Sequence, residues 1–248
     1  MTGSGTDAGR LAARLGVRVV AHEAVTSTMD AARVDPGPVP AVHITRRQTA
    51  GRGRRGRGWE SPPGNLYATV AWPDPDPGWP PAVLAAIQLA WAEALDEAGG
   101  PAAQVKWPND GWIAGRKWSG VVAERSGAGG EARLWVGLGA NLLVAPEGAT
   151  ALAEHWRPWP GASAASEILL EAAIAVLADG PGALAARLDR WPARDALEPG
   201  EPLVVERPDG PVEGRYAGVA DDGRLRLSGP GEERLVALAE AVRVRPRR

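Results

Sequence analysis

The segment 46–59 holds the densest cluster of side chains that could do chemistry in this sequence. Six arginines and no acidic residue fall within positions 46–57, although the whole chain has a formal net charge of −2. Glycines alternate with the arginines, so backbone N–H groups can close around an anion while guanidinium groups bind phosphate or carboxylate bidentately. The spacing matches neither a P-loop nor a Rossmann dinucleotide motif. The segment favours capture of an anion, and a solvated basic loop or an RGG-like nucleic-acid tether are the alternatives.

Lysine occurs at only two positions, and both lie in a second cluster. Of the 28 lysines and arginines, 26 are arginines, and the two lysines are Lys106 and Lys117. Because arginine cannot replace a compact, rotatable ammonium group, a chain so poor in lysine is expected to keep it where function needs it. The run 106–110, Lys-Trp-Pro-Asn-Asp, ends a predicted strand, and Lys117 opens the next. Strand, turn and strand would bring the two ammonium groups together, and an ordinary turn is the alternative.

Two shorter signals complete the set of candidates. Gly137 and Gly139 lie in a predicted strand that ends with Asn141, one of only three asparagines. Glycine in a strand commonly marks the close approach of a ligand or of another backbone, and tight packing is the alternative. The run 26–30, Thr-Ser-Thr-Met-Asp, offers several N-cap residues for a short helix.

Composition excludes several classes of function. With 248 residues, 44% of them hydrophobic and 23% charged, the chain fits one large globular domain plus a small one. The absence of cysteine excludes disulfides and thiolate chemistry and favours the reducing cytoplasm. The histidines His22, His43 and His155 have no metal-ligand spacing, so no metal centre is predicted. No apolar run is long enough for a membrane span, and the first residues do not resemble a signal peptide.

The hydrophobic pattern predicts the elements that must position these candidates. Past position 199, short strands alternate with tight turns, which is typical of a small all-β domain of about fifty residues. We therefore predict an α+β fold, with a mixed sheet and packed helices over residues 1–195 and an SH3-like β-barrel over residues 199–248. The predicted strands are 17–20, 41–45, 65–72, 104–107, 112–114, 118–124, 133–143, 203–206, 212–218, 224–228 and 234–238, and the predicted helices are 7–15, 82–98, 166–178 and 181–188.

Five motifs, in this order along the chain, resemble the biotin protein ligase family. Ser27, Thr28 and Met29 stand where the family has S-T-N. The run 48–57 (QTAGRGRRGR), followed by Trp59 and 61–67 (SPPGNLY), is similar to the family's biotin-binding loop and the strand after it. The run 106–110 matches the K-W-P-N-D motif, 116–120 (RKWSG) is similar to K-K-[LI]-A-G, and 137–141 is similar to G-x-G-x-N. Only about twenty residues precede the first strand, so the sequence resembles the monofunctional members, which have no N-terminal DNA-binding domain.

This resemblance implies a fold, an activity and partners. The fold would be a class II synthetase-like ligase catalytic domain with a C-terminal SH3-like domain. The activity would use ATP and Mg²⁺ to convert biotin to biotinyl-5′-AMP. Biotin would then pass to a lysine of a biotin carboxyl carrier domain of acetyl-CoA carboxylase or a related enzyme, in the cytoplasm and with no nucleic-acid or membrane partner. The oligomeric state stays open, with a homodimer as one option.

The resemblance also implies roles for individual residues. Lys106 would hold the biotin carboxyl group and phosphate oxygens, and Lys117 would hold the phosphate side. Asp110 would position or deprotonate the incoming lysine, and Arg52 completes the expected catalytic set. The expected biotin-binding residues are Ser27, Thr28, Met29, Gln48, Gly51, Arg52, Gly53, Arg54 and Lys106; the expected nucleotide-binding residues are Arg52, Arg54, Arg55, Arg57, Trp59, Asn109, Lys117 and Asn141.

Two other functions compete with this interpretation. A lipoate or octanoate ligase shares the fold, although the lack of cysteine excludes the members that pass the acyl group through a thioester. A nucleic-acid-binding protein using residues 46–57 belongs to a different class and predicts an affinity that falls steeply with salt.

Overall fold

The computed structural model describes residues 4–74, 82–127, 131–229, 233–237, 241 and 243–246. The larger of its two sheets has seven strands in the order β1-β2-β3-β7-β6-β5-β4. Strands β1 and β2 run parallel and every other neighbouring pair is antiparallel, so the predicted mixed sheet is confirmed. The strands are β1 (Arg18–His22), β2 (Ala41–Thr45), β3 (Leu66–Pro73), β4 (Gln104–Lys106), β5 (Asp110–Ile113), β6 (Arg116–Ser126) and β7 (Arg133–Ala140).

Helices cover both faces of this sheet. Strand β3 lies at its centre and is buried on both faces from Leu66 to Ala71, which explains its nearly continuous apolar sequence. The long helices α3 and α5 pack against each other on one face, where the Trp91 indole N–H donates to the Leu169 carbonyl at 2.7 Å. The helices are α1 (Ser4–Leu15), α2 (Thr28–Val34), α3 (Ala82–Glu97), α4 (Leu152–His155), α5 (Ala162–Asp179) and α6 (Leu184–Leu188).

A second, five-stranded sheet follows in the order β11-β10-β9-β8-β12. It contacts the first unit through hydrogen bonds from Trp107 Nε1 to the Gly223 carbonyl at 2.8 Å and from Arg54 Nη2 to the Ala241 carbonyl at 3.0 Å. Both donors belong to motifs singled out in the sequence. The strands are β8 (Pro202–Glu206), β9 (Val212–Val219), β10 (Leu225–Ser228), β11 (Arg234–Val236) and β12 (Arg243–Pro246).

The boundaries of several predicted elements were wrong. Strand β5 begins at Asp110 rather than at position 112, because Asp110 already pairs with Lys106 of β4 and Gly120 of β6. It ends at Ile113, where a two-residue turn at Ala114 and Gly115, both with positive φ, returns the chain earlier than expected. Strand β6 consequently begins at Arg116. Helix α4 is a single turn and β12 has only four residues, so neither was predicted from the sequence. Position 238, the end of one predicted strand, lies outside the described residues.

No single helix among the described residues is long and apolar enough to cross a membrane. Only Ala162–Asp179 taken together with Pro181–Leu188 would reach that length and composition, and a 100° bend separates the two.

A buried histidine on β2 predicts a pH dependence of stability. His43 Nδ1 lies 3.2 Å from His22 Nε2, and His43 Nε2 lies 3.0 Å from Asp35 Oδ2. Burial lowers the pKa of His43 below its usual 6.5, more than Asp35 raises it. The unfolded chain therefore binds the proton more tightly, so the free energy of unfolding should decrease as the pH falls below about 6.5. Urea unfolding at pH 7 and pH 5 measures this, and a His43→Asn variant should lose that part of the decrease.

Candidate functional site

The sequence motifs meet in a cavity on one face of the large sheet. Its lining comes from the start of α2, from the Arg/Gly loop (residues 46–64) and from strands β5, β6 and β7. Twelve of the sequence-predicted residues line it: Ser27, Thr28, Met29, Gln48, Arg52, Gly53, Arg54, Arg57, Trp59, Asn109, Asp110 and Lys117.

The first turn of α2 and Gln48 form one side of this cavity. The Ser27 hydroxyl caps the helix by accepting from the Met29 amide at 3.2 Å. The Gln48 Oε1 atom accepts from both the amide and the hydroxyl of Thr28, at 2.9 and 3.2 Å, and Thr69 donates to the Thr28 hydroxyl at 2.9 Å. These side chains are held in fixed orientations, so the wall presents hydroxyl and amide groups suited to a neutral polar ligand.

The Arg/Gly loop folds over the cavity as an irregular hairpin. The Trp59 amide donates to the Gly51 carbonyl at 2.8 Å, and the Gly53 amide donates to the Arg57 carbonyl at 2.7 Å. The Arg52 guanidinium binds Asp30 of α2 through two hydrogen bonds, one of them 3.0 Å long. The loop is thereby attached to the same helix whose first turn forms the cavity wall.

Two glycines on neighbouring strands form the floor under Trp59. Gly120 of β6 and Gly139 of β7 face each other across the two strands. A Cβ atom at position 139 would lie 2.8 Å from Trp59 Cε2, and one at position 120 would lie 3.1 Å from Trp59 Cζ3. The indole therefore occupies the space that a larger side chain would need, which accounts for Gly139 of the G-x-G-x-N motif and for Gly120 of the 116–120 motif.

Lys117 and Asp110 belong to the opposite wall, and Lys106 lies next to them outside the lining. Lys117 Nζ donates to Asp110 Oδ1 at 2.6 Å and lies 5.2 Å from the centre of the Trp59 ring. Lys106 pairs with Asp110 in the register of β4 and β5, and its ammonium lies 4.2 Å from the centre of the Trp112 ring. Asp110 is thus next to both lysines, one by hydrogen bond and the other by strand register.

Arg54 is the most buried charge of the loop. Burial, together with the neighbouring Arg57 and Arg55, lowers the pKa of its guanidinium to about 10, although Asp110 opposes the shift. An anion entering the cavity would relieve this unfavourable environment, which makes Arg54 suited to bind a negatively charged ligand.

Four predicted site residues do not line the cavity. Gly51 is buried within the loop, where a Cβ atom would lie 2.6 Å from the Trp59 carbonyl oxygen, and Arg55 lies in the 3-10 turn Arg54–Gly56. Lys106 lies over Trp112 as described above. Asn141 is buried, and its amide donates to the Thr150 carbonyl at 3.2 Å.

Three further residues that were not predicted also shape the site. Asp30 holds Arg52, Glu124 lines the cavity and pairs with Arg33, and Trp112 lies under Lys106. Of these three, only Asp30 could have been found from the sequence. It lies three residues after Ser27, the N-cap residue, and an acidic side chain is favourable in the first turn of a helix. Within the described ranges, no group of three or more histidine, aspartate or glutamate side chains could hold a metal ion.

Sequence comparisons find a family model and relatives that together cover most of the chain. Residues 21–141 match the model of the biotin/lipoate A/B protein ligase family. A biotin–[acetyl-CoA-carboxylase] ligase of Paracoccus denitrificans is 33% identical over 242 residues, covering 87% of this chain and 95% of the relative. A ligase of the same description from Mycobacterium tuberculosis is 33% identical over 82% of this chain and 79% of its own length.

Solved structures with the same fold extend over nearly the whole chain. A biotin protein ligase from Aquifex aeolicus, in complex with biotin and ATP, superimposes with a TM-score of 0.75 at 23% identity, covering 92% of this chain and 99% of the other. A biotin protein ligase from Leishmania major in complex with biotinyl-5-AMP gives a TM-score of 0.57 at 24% identity, covering 88% and 98%.

Proposed function

The chain belongs to the biotin/lipoate A/B protein ligase family, and we propose from this premise that it is an ATP-dependent biotin protein ligase. The observation that carries the proposal is one cavity with two different walls. The Ser27, Thr28 and Gln48 wall offers neutral hydrogen-bonding groups, whereas the Asp110 and Lys117 wall and the Arg/Gly loop carry the charges. These two walls suit a substrate that has a neutral polar head group at one end and, at the other, a carboxylate that reacts with a phosphate.

The reaction has two steps. A carboxylate oxygen of biotin attacks the α-phosphorus of ATP, the bond to the β-phosphate oxygen breaks, and pyrophosphate leaves with its electron pair. The lysine amine of a carrier domain then attacks the carbonyl carbon of biotinyl-5′-AMP, an amide forms and AMP leaves. Two negative groups must approach each other in the first step, so fixed cations in a partly enclosed site lower its barrier.

The residues of the cavity divide this work. The wall of Ser27, Thr28 and Gln48 would bind the ureido head group, with Met29 beside it. Lys117 and Arg54 would neutralise the phosphate as the carboxylate approaches, and the Trp59 indole would cover the product adenylate. Asp110, which binds Lys117, would keep that ammonium in place and would accept or orient the proton of the incoming lysine.

The remaining predicted residues would act at the margins of this cavity. Lys106 would reach the carboxylate from over the Trp112 ring, and Asn109, beside Asp110, would face the nucleotide. Asn141 and Arg55 do not line the cavity, so they would contribute to nucleotide binding indirectly, through the loops in which they lie.

Magnesium fits as an ion that arrives with ATP. The carboxylates lining the cavity are already engaged, Asp110 with Lys117 and Glu124 with Arg33, and the described residues form no metal-ligand cluster. The ion would therefore be bound mainly by phosphate oxygens, as magnesium commonly is in nucleotide sites.

The proposal extends to domains and partners. Residues 1–195 would form the catalytic domain and residues 199–248 an SH3-like domain that supports it. The acceptor would be a biotin carboxyl carrier domain of acetyl-CoA carboxylase or a related enzyme, in the cytoplasm, where ATP is available. A homodimer is compatible with this activity, and no nucleic-acid partner is needed for it.

Biotin-dependent release of pyrophosphate from ATP tests the proposed function. Purified protein with ATP and Mg²⁺ should release pyrophosphate when biotin is added and transfer biotin to a carrier domain. Lipoate and octanoate serve as competing acids in the same assay. A preference for either of them would favour the lipoate ligase alternative, and the absence of acid-dependent release would contradict both.

The Arg/Gly loop should be protected from proteolysis by the two substrates together. Four arginines lie within six residues of this loop and repel one another, while the glycines raise the entropy cost of ordering it. The adenylate phosphate would offset both the repulsion between the arginines and the entropy cost of ordering the loop. Trypsin should cut between positions 47 and 63 rapidly in the free protein, more slowly with ATP, and slowest with biotin and ATP. Cleavage at Arg224, an exposed arginine that follows the 221–223 turn of the second sheet and precedes Leu225, is the control and should not change.

A further inference from the structure

Helix α3 contains one polar side chain among its buried residues. Eleven of the twelve buried side chains in Ala82–Glu97 are apolar, and the other is Gln88, which is 1% exposed. A buried amide is unfavourable unless its donors and acceptors are paired. The position of its partners therefore indicates what this side chain does.

Both ends of the Gln88 amide are paired, and with different elements. Its Nε2 atom donates to the Asn109 carbonyl at 2.9 Å, and its Oε1 atom accepts from the Ser119 hydroxyl at 2.8 Å. A carbonyl can only accept, so the NH₂ group must face Asn109 and the oxygen must face Ser119. Ser119 thus orients the amide, and Gln88 links α3 to the turn at 107–109 and to β6.

The turn that Gln88 contacts carries the charged wall of the cavity. The Asn109 carbonyl also accepts from the Val121 amide at 3.0 Å, and the Asn109 side chain donates back to the Val121 carbonyl at 2.8 Å. The next residue is Asp110, whose carboxylate binds Lys117. The same peptide is therefore held from the core side by Gln88 and presents the Asp110 and Lys117 pair on its other side.

The strand after the turn is fitted closely to this network. A Cβ atom at Gly111 would lie 2.2 Å from Ser119 Oγ and 2.8 Å from Gln88 Oε1. Glycine is required here for space, because the hydrogen-bonded pair fills the volume of a side chain. The three residues Gln88, Gly111 and Ser119 form one packed unit behind the site.

We propose that Gln88, oriented by Ser119, is a positioning residue for the ligation reaction. It fixes the backbone at Asn109 and thereby the placement of the Asp110 and Lys117 pair against the reacting phosphate. The proposal rests on the proposed function. It also predicts which wall is affected, because the described hydrogen bonds of Gln88 reach the turn that carries Asp110 and none of them reaches Ser27, Thr28 or Gln48. Binding of the neutral head group to Ser27, Thr28 and Gln48 should not depend on it.

Gln88→Met in the full-length protein tests this role, because methionine keeps the length and volume of glutamine but removes both hydrogen bonds. Biotin binding is measured by calorimetry without ATP, and pyrophosphate release is then expressed per biotin-binding site. We expect an unchanged stoichiometry, a biotin KM within about 2-fold of the wild type and a kcat lowered by about 10-fold or more. Gln104→Met is the matched control, since Gln104 is exposed and donates to the Asp195 carbonyl at 3.1 Å, and its kinetics should be those of the wild type.

Ser119→Ala tests the orientation step. It should lower kcat in the same direction as Gln88→Met but by less, and the double variant should be no slower than Gln88→Met alone, since both act through one network. A kcat per binding site within 2-fold of the wild type in Gln88→Met, or a parallel rise in the biotin KM, would overturn the positioning role. Absence of biotin-dependent release in the wild type would instead contradict the proposed function.

Discussion

Replacing Lys117 by methionine is expected to lower biotin-dependent pyrophosphate release by about 10²-fold or more. The Lys117 ammonium is fixed by a 2.6 Å hydrogen bond to Asp110 and lies beside the Trp59 ring. A preoriented charge of this kind stabilises the negative charge that develops during transfer, and removing one such group costs about 10²–10³ in rate. Methionine also leaves the half-buried Asp110 carboxylate without its partner, and this unpaired negative charge should repel the approaching phosphate. Pyrophosphate release at saturating biotin and ATP measures the effect.

Arg116→Met is the matched control for this variant. Arg116 is the neighbouring basic residue, it is exposed, and it pairs with Glu154 at 3.0 Å outside the cavity. Its loss removes the same formal charge from the protein without removing a charge from the site. Rates that fall equally in both variants would mean that net charge matters rather than the position of Lys117.

The sequence predicted the core of the fold well because its signals are local. The apolar run of β3 and the apolar helix α3 each follow from the pattern of their own residues. The Arg/Gly loop was also predictable, because no regular element accommodates alternating arginine and glycine. Strand β5 was harder, since its start depends on pairing with β4 and β6 rather than on its own apolar content.

Twelve of the predicted residues line the cavity, but the contacts between them could not be predicted. Lys117 and Asp110 were both expected, yet their hydrogen bond depends on the register of β5 and β6, which no local pattern fixes. Gln88 gave no signal, because a single glutamine in an apolar helix usually faces solvent. Its role becomes visible only when the 107–109 turn, 21 residues downstream, is seen to return to the helix.

Two hydrogen bonds connect the segment that contains the second sheet to the motifs at the cavity. Trp107 of the lysine motif donates to the Gly223 carbonyl, and Arg54 of the loop donates to the Ala241 carbonyl. Gly223 and Ala241, which lie between strands of the second sheet, therefore contact both motifs from outside the seven-stranded sheet. Such contacts restrict how far the turn and the loop can move apart, which links this region to the geometry of the cavity.

Gly139→Ala is expected to lower kcat/KM for biotin by about 30-fold while leaving the fold intact. The added methyl group would lie within 2.8–3.1 Å of three Trp59 ring atoms, so the indole must move away from the strand floor. Overpacking of this kind costs about 1–3 kcal/mol, and 2 kcal/mol corresponds to about 30-fold in rate. Because the Trp59 amide is hydrogen-bonded to Gly51, the displaced ring would pull the Arg/Gly loop with it.

Two further variants separate this displacement from a general loss of stability. Gly9→Ala in α1, where nothing lies within 4 Å of the added methyl group, should keep wild-type kinetics. Trp59→Phe, combined with Gly139→Ala, should recover part of the lost activity, because the smaller ring leaves room for the methyl group. Equal losses in the single Gly139→Ala variant and in the double variant would mean that the glycine is needed for some reason other than the space taken by the indole. Recovery in the double variant would identify contact between this ring and the glycine floor as what holds the loop over the cavity.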